Sequence, residues 1–309
     1  MGLVADFVAA VGGSARTHKL RQHFTKRELS QAVASGDIVR SVRGVYALPG
    51  HDGAERRALE LSAVLYLRSA AQAHGLGVLH RPPAVELAIA RERRTPKVAG
   101  VVAVRRLLPP EDLVHQGEMR ATSVVRTVLD CAAALPFAEG LAIADSALRS
   151  RLVTRNELHV AANAWVGRNR RAQQRVLQHM DGRAANAFES GLRAACIEGG
   201  VFMEPQVVIR TSGGDHRVDL AKTIPTMQGM RYLITEADSF EWHGGRDALH
   251  RDCTRYNELV RSDCIVLRFS WEHVMYERRW ISEVVADVDR GPARRNSGLK
   301  RQASLPLSA

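Results

Sequence analysis

The chain has 309 residues, 45% hydrophobic and 25% charged, which excludes a chain disordered throughout and leaves room for two or three domains at roughly 100–200 residues each. Its 44 Lys and Arg against 33 Asp and Glu give a net charge of +11, which favours a polyanionic partner, because basic side chains displace the counterions condensed on phosphates. A membrane span, a zinc ribbon and a secreted disulfide scaffold are disfavoured: no apolar run reaches about 18 residues, the apolar start MGLVADFVAAVGG lacks the basic region of a signal peptide, and Cys131, Cys196, Cys253 and Cys264 form no CxxC pair. The expected setting is the cytoplasm.

Residues 3–11 have apolar helical spacing and stop at Gly12 and Gly13. Ser14 can cap a second helix running to about His23. Thr25 and Glu28 form a capping box for a third, with Leu29 and Val33 on one face and Gly36 as its end. Residues 37–48 (DIVRSVRGVYAL) are two β-rich runs around a turn at Arg43 and Gly44. Three helices and a hairpin in about 50 residues is the plan of a winged helix. Such a domain places a helix in the major groove and a basic hairpin tip on phosphate or in the minor groove. The residues expected to face DNA are Lys19, Thr25, Lys26, Arg27, Gln31, Arg40 and Arg43. The segment from Gly36 to Leu48, ending in R-G-V-Y-A-L, resembles the N-terminal domain of AbiEi-type antitoxins, which implies a DNA-binding winged helix over residues 1–50.

Pro49 and Gly50 mark a boundary. Residues 51–180 form an expected α/β connector: one or two helices in ERRALELSAVLYLRSAAQAHGL, strands near 84–91 and 98–106, a helix over 122–135 and further helices to about 166. His74 and His80 have no cluster of partners, and a structural role is expected for both. Arg126 and Asp130 stand at i and i+4, the spacing of a helix-surface salt bridge. The segment resembles the connector of actinobacterial proteins with the same architecture.

Residues 181–290 read αβββαβ: a helix over 184–199, strands at 204–211, 216–221 and 231–238, a helix over 246–261 and a strand at 264–269, with another helix from Trp271. The fold class is therefore multi-domain α+β and α/β. Asp219 interrupts an apolar strand, and Glu236 and Asp238, two apart, share a sheet face. Carboxylates converging at strand ends need a counter-charge, and Mg²⁺ or Mn²⁺ is the expected one, since both suit oxygen ligands. For Glu189, an i,i+4 pair with Arg193 competes with a role in this site. Residues 291–309 form a basic tail rich in Gly, Pro and Ser, expected to be disordered.

The carrying residues of the C-terminal third are Glu189-Ser190-Gly191-Leu192-Arg193, Arg217-Val218-Asp219, Glu236-Ala237-Asp238-Ser239 with Trp242-His243, Asp252-Cys253-Thr254-Arg255 and Val266-Leu267-Arg268-Phe269. Together they resemble the PD-(D/E)XK nucleases, on the branch near very-short-patch-repair endonucleases. The resemblance implies a restriction-endonuclease-like core, a metal held by Asp219, Glu236 and Asp238, a shell completed by Glu189, and His243 as proton carrier or water-positioning group. Asp238 stands where the motif's lysine falls, and Ser239 where relatives have Gly. Two functions follow as expectations: a Mg²⁺-dependent DNA endonuclease guided by a winged helix, or an AbiEi-type antitoxin and autorepressor on an inactive nuclease fold. The partners implied are duplex DNA, a nucleotidyltransferase-like toxin in the second case, and no membrane; a homodimer is left open.

Overall fold

The computed structural model describes residues 2–50, 53–116, 119–238 and 246–291. The expected tail at 291–309 lies outside them except for Gly291. Contacts gather the chain into two compact units, residues 1–134 with 152–173, and residues 135–151 with 174–309.

The first unit opens with α1 (Leu3–Ala10), β1 (Ser14–Arg16), α2 (Thr17–Leu20), α3 (Lys26–Ala34), β2 (Val39–Val42) and β3 (Val45–Ala47). Thr25 and Glu28 cap α3 reciprocally as the sequence predicts. Gly36, at φ +79°, takes the left-handed turn that ends it. Two readings differ. Ser14 does not cap a helix: it pairs with Ala47, so β1 joins β3 and β2 in a three-stranded antiparallel sheet, and tertiary pairing wins over a local capping bond. The buried face of α3 carries Leu29 and Ala32, whereas Val33 is exposed. Leu29 and Ala32 pack with Val4, Val8, Leu20 and Ile38.

The unit continues through α4 (Ala54–Glu60), β4 (Val64–Leu65), α5 (Leu67–Ala73), β5 (Val85–Ile89), β6 (Val101–Arg105), β7 (Leu113–Gln116), β8 (Met119–Thr122) and α6 (Val124–Ala134). The strands form a mixed sheet of order β6-β5-β4-β8-β7. The Arg126–Asp130 bridge forms at 2.7 Å, but Asp130 is buried, and Asp112 joins the same guanidinium at 2.6 Å. It is an interior network rather than a surface pair. His74 lies 2.6 Å from the Thr122 carbonyl, a structural contact. Next come α7 (Phe137–Arg149), which belongs to the second unit, α8 (Arg155–Asn163), which belongs to the first, and α9 (Arg170–His179), which is divided between them.

The second unit adds α10 (Ala187–Glu198), β9 (Glu204–Thr211), β10 (Gly214–Thr226), β11 (Gly229–Asp238), α11 (Arg246–Arg261), β12 (Ile265–Ser270), α12 (Trp271–Tyr276) and α13 (Arg278–Arg290). The expected αβββαβ order is present. β9, β10 and β11 form an antiparallel meander, and β12 lies parallel to β11, reached through α11, as a parallel pair requires. β11 is the buried axis: Leu233, Ile234 and Thr235 are all fully buried because both sheet faces are covered. Leu233 packs with Leu192, Cys196, Phe269 and Ile281 on one side; Ile234 packs with Ile209, Val218 and Leu259 on the other.

A buried ion pair ties α7 to α10. Arg193 meets Asp145 at 2.6 Å, and Asp145 also accepts the Asp181 N–H at 2.7 Å. Arg193 donates its other terminal nitrogen to the His179 carbonyl at 2.6 Å. Burial pushes the Asp145 carboxyl up, and the Arg193 charge partly offsets this. Arg193→Met leaves that carboxylate buried and unpaired, which should cost about 3–5 kcal/mol, while the double variant Asp145→Leu/Arg193→Met recovers most of it. Urea melts of the two variants check this; equal losses would mean that the pair does not couple the helices.

Candidate functional site

The C-terminal sheet places polar residues where its ladders are interrupted. β9 and β10 pair in constant register on both sides of Gln206 and Asp219, but those two residues do not pair. Gln206 has φ +58°, a left-handed conformation that a strand residue rarely adopts. On the other side of β10, the ladder to β11 runs up to Leu220–Thr235. Asp219 and Glu236 are the next residues on each strand, and Glu236 in turn is level with Arg268 on β12. One row across the sheet thus carries Gln206, Asp219, Glu236 and Arg268. Glu236 and Arg268, which pair directly, share a face.

Each carboxylate of the group has defined partners. Asp219 accepts the Ala237 N–H at 2.9 Å, a side-chain bond where the ladder has none. Glu189, in the first turn of α10 and almost fully buried, accepts the Ala185 N–H at 2.8 Å, the Asn186 amide at 2.9 Å and the Gln206 amide at 2.8 Å. The competing pair of Glu189 with Arg193 does not form, because Arg193 is held by Asp145. Glu236, 5% exposed, is gripped on both oxygens by Arg255 of α11, which also donates to the Arg217 carbonyl at 3.0 Å. Asp238 is bound on both oxygens by Arg268, at 2.7 and 2.9 Å, and Arg268 also reaches Asp252 at 2.7 Å.

Electrostatics single out Asp219. Its carboxyl is pushed up to about 6, first by burial and then by the neighbouring charges of Glu189 and Glu236; the Ala237 N–H and Arg255 pull it back. Glu189 and Glu236 thus lie near enough for their charges to act on Asp219, while Asp238 is bound by Arg268, which it shares with Asp252. His243, with Ser239 and Trp242, lies outside the described residues. The counter-charge expected from a cation is supplied, for Glu236 and Asp238, by Arg255 and Arg268. Among the described residues, no three Asp, Glu, His or Cys side chains stand together as a ready-made ion site. Gln206 was not singled out by sequence; the only signal for it is an amide directly after Pro205 at the start of an apolar strand.

The expected DNA-facing residues divide as well. Lys26, Arg27 and Gln31 on α3 are exposed, as are Arg40 and Arg43 of the hairpin. Lys19 is half-buried. The Thr25 hydroxyl is engaged in the capping box.

Fold and site together define a mixed α/β protein with a buried carboxylate row in its C-terminal sheet. Among the described residues no helix is long and apolar enough to cross a membrane. No protein-family model matches the chain. It is similar to the uncharacterized proteins Rv2248 and MT2308 of Mycobacterium tuberculosis strains H37Rv and CDC 1551, each 32% identical over 243 residues, covering 76% of this chain and 86% of the relative. The chain belongs to the family of these mycobacterial proteins.

Asp219 binds its proton more tightly in the folded chain than in the unfolded one. Its contribution to stability therefore falls as pH rises from about 4 through about 6, by about 2–3 kcal/mol in all. Asp219→Asn keeps an acceptor for Ala237 and removes the titration. Melting temperatures measured in chelator should show the variant gaining on wild type between about pH 4 and pH 7. A gap that does not change with pH would mean that the carboxylate is not crowded.

Proposed function

We propose that this chain is a cytoplasmic DNA-binding protein in which residues 1–50 act as a winged helix and the C-terminal unit is a PD-(D/E)XK-like, Mg²⁺-dependent DNA endonuclease. The observation that carries the reading is the row Gln206–Asp219–Glu236 with Glu189 beside it. A buried carboxylate whose proton affinity is raised by two others, at the point where two ladders break, serves no evident structural need. Strongly shifted groups of this kind gather at functional sites.

The donor chemistry suits a hard divalent ion. Mg²⁺ is bound through one or two carboxylates and keeps several waters, so Asp219 and Glu236 suffice as protein ligands, with Mn²⁺ as a substitute. The ion, when bound, lowers the pKa of a water and neutralises charge on the scissile phosphate. Glu189, whose oxygens already accept three N–H donors, orients Gln206 and keeps the negative potential high. Arg255 must give up at least part of its hold on Glu236. The exposed side chains Lys26, Arg27, Gln31, Arg40 and Arg43 supply the duplex contacts in this reading.

A second reading is favoured by one observation: Arg255 and Arg268 already neutralise Glu236 and Asp238. A nuclease-like fold closed in this way suits an AbiEi-type antitoxin and autorepressor that neutralises a nucleotidyltransferase-like toxin.

Plasmid nicking with Mg²⁺, Mn²⁺ and chelator separates the two. Glu236→Gln and Asp219→Asn should each lower cleavage on the order of a thousandfold or more, with gel shifts unchanged. Wild-type protein that cuts no single-stranded, duplex or mismatched DNA with any divalent ion leaves the regulator reading. Equal cleavage by wild type and both variants would remove the site. For binding, Arg40→Ala/Arg43→Ala should make the log–log salt slope shallower by roughly one unit for each phosphate that the hairpin no longer neutralises; an unchanged slope excludes the hairpin from the interface.

A further inference from the structure

We infer that a cleft in the first unit, beside the C-terminal end of α4, binds a small molecule that joins a phosphate to an apolar or planar body, and that Arg93, Arg106 and Arg120 hold its phosphate. The inference does not depend on the reading of the C-terminal unit.

α4 ends in an unusual way. Ser62 follows it at φ +47°, outside the range a serine ordinarily takes. Arginines from three separate segments converge on the carbonyls at this helix end. Arg93 donates to Ser62 O at 2.7 Å and to Leu61 O at 2.9 Å. Arg120 donates to Ser62 O at 3.0 Å. Arg16 reaches Leu59 O at 3.2 Å and the Ser62 hydroxyl at 2.8 Å. Basic side chains do cap helix ends, but a helix terminus carries only about half a negative charge. Here two full positive charges, those of Arg93 and Arg120, share one neutral carbonyl, and neither forms an ion pair with a carboxylate among the described residues. Arg120 is held below its ordinary value, by burial first and then by the charges of Arg16 and Arg93. The surplus of positive charge has no structural return.

A cleft of about 280 Å³ opens onto these guanidinium groups. Arg93, Arg106 and Arg120 line it, and Val64, Ile89 and Leu108 are among its apolar walls. Arg106 donates to the Tyr66 hydroxyl at 3.1 Å and to its neighbour's carbonyl at 3.2 Å. Arg91 and the acidic Glu92 also line the cleft, and both are exposed. The size is near the lower bound of small-molecule sites, roughly 300 Å³, and suits a mononucleotide rather than a duplex. Guanidinium forks match phosphate oxygens in pairs, and several of them match a dianion better than a single carboxylate. The apolar walls suit a base or another flat body. The remaining polar groups of the cleft are backbone atoms and the Ser62 hydroxyl, so the arginines dominate its recognition.

The test uses the full-length chain and calorimetric titration with AMP, adenosine, inorganic phosphate and a short DNA duplex. AMP should bind, inorganic phosphate should compete with it, and adenosine should not bind. Arg93→Gln/Arg120→Gln should weaken AMP at least tenfold. Because those side chains also cap α4, thermal melts accompany the titration. Arg91→Glu breaks no hydrogen bond seen in the structure, reverses a charge at the cleft, and should weaken AMP severalfold with an unchanged melting temperature. If the double variant does not fold, Arg91→Glu decides alone. The inference is overturned if neither AMP nor phosphate binds, if adenosine binds as well as AMP, or if the folded variants bind AMP like wild type. It is also overturned if the variants lose affinity for the duplex alone, since the arginines would then be a DNA surface.

Discussion

Asp219 puts a carboxylate inside a strand that is otherwise apolar, and the local structure of the C-terminal unit accommodates it at each step. Its neighbours Val218 and Leu220 are fully buried and fix β10 in the sheet, so the side chain cannot escape to solvent by a register slip without turning the whole strand over. The Ala237 N–H is given to it instead of to a ladder carbonyl. Gln206, opposite, adopts a left-handed backbone and spends its amide on Glu189 rather than on the strand. Two ladders are interrupted at the same level, and the polar row exists because of that. Strain of this sort, of order 1–3 kcal/mol per residue, persists only where the surrounding structure over-determines it. The apolar clusters on both sheet faces do so here.

Charge balance around that row takes a form that hydrogen-bond geometry explains. Glu236 could be neutralised by a metal ion or by an arginine. α11 crosses the sheet face on which Glu236 lies and brings Arg255 within bonding distance of both oxygens. Two residues further along β11, Asp238 receives Arg268 in the same forked manner. Fork-on-fork pairing satisfies both carboxylate oxygens at once, which leaves Asp219 as the carboxylate of the row without a guanidinium on it. Burial, with the charges of Glu189 and Glu236 nearby, pushes that carboxyl up to about 6. The first unit shows the reverse imbalance, with guanidinium groups collected at the end of α4 and no carboxylate paired with Arg93 or Arg120 among the described residues. In both units, the uncompensated charge marks where a ligand of opposite sign would be favoured.

Much of the plan was legible in the residues themselves. Local signals act over a few positions and need no fold: the Thr25–Glu28 capping box, the left-handed Gly36, the hairpin turn at Gly44 and the αβββαβ alternation all appear where the pattern puts them. The same locality explains the misses. Ser14 has the chemistry of a helix cap, yet it pairs with Ala47, more than thirty residues away, and nothing near it announces that partner. Val33 lies on the apparent apolar face of α3 but is exposed, because Ala32 is the residue that meets Ile38 and its neighbours. Glu189 and Arg193 have the spacing of a helix pair, but a buried Asp145 on another helix competes better for the guanidinium.

What the sequence by itself determined was the inventory: the basic balance, the order of elements, and the carboxylates, Glu189 at a helix start, Asp219 inside a strand, and Glu236 and Asp238 at a strand end. Those follow from composition and from periodicities of two and 3.6, which are properties of the chain. Only the tertiary structure decided which charges meet. Gln206 entered the site, Arg255 took Glu236, Arg268 drew Asp238 away, and Arg93 and Arg120 shared the Ser62 carbonyl, pairings that span 17 to 58 residues of sequence. Electrostatic pairing depends on distance in space and on burial, and neither is set until the sheet fixes which strand lies beside which.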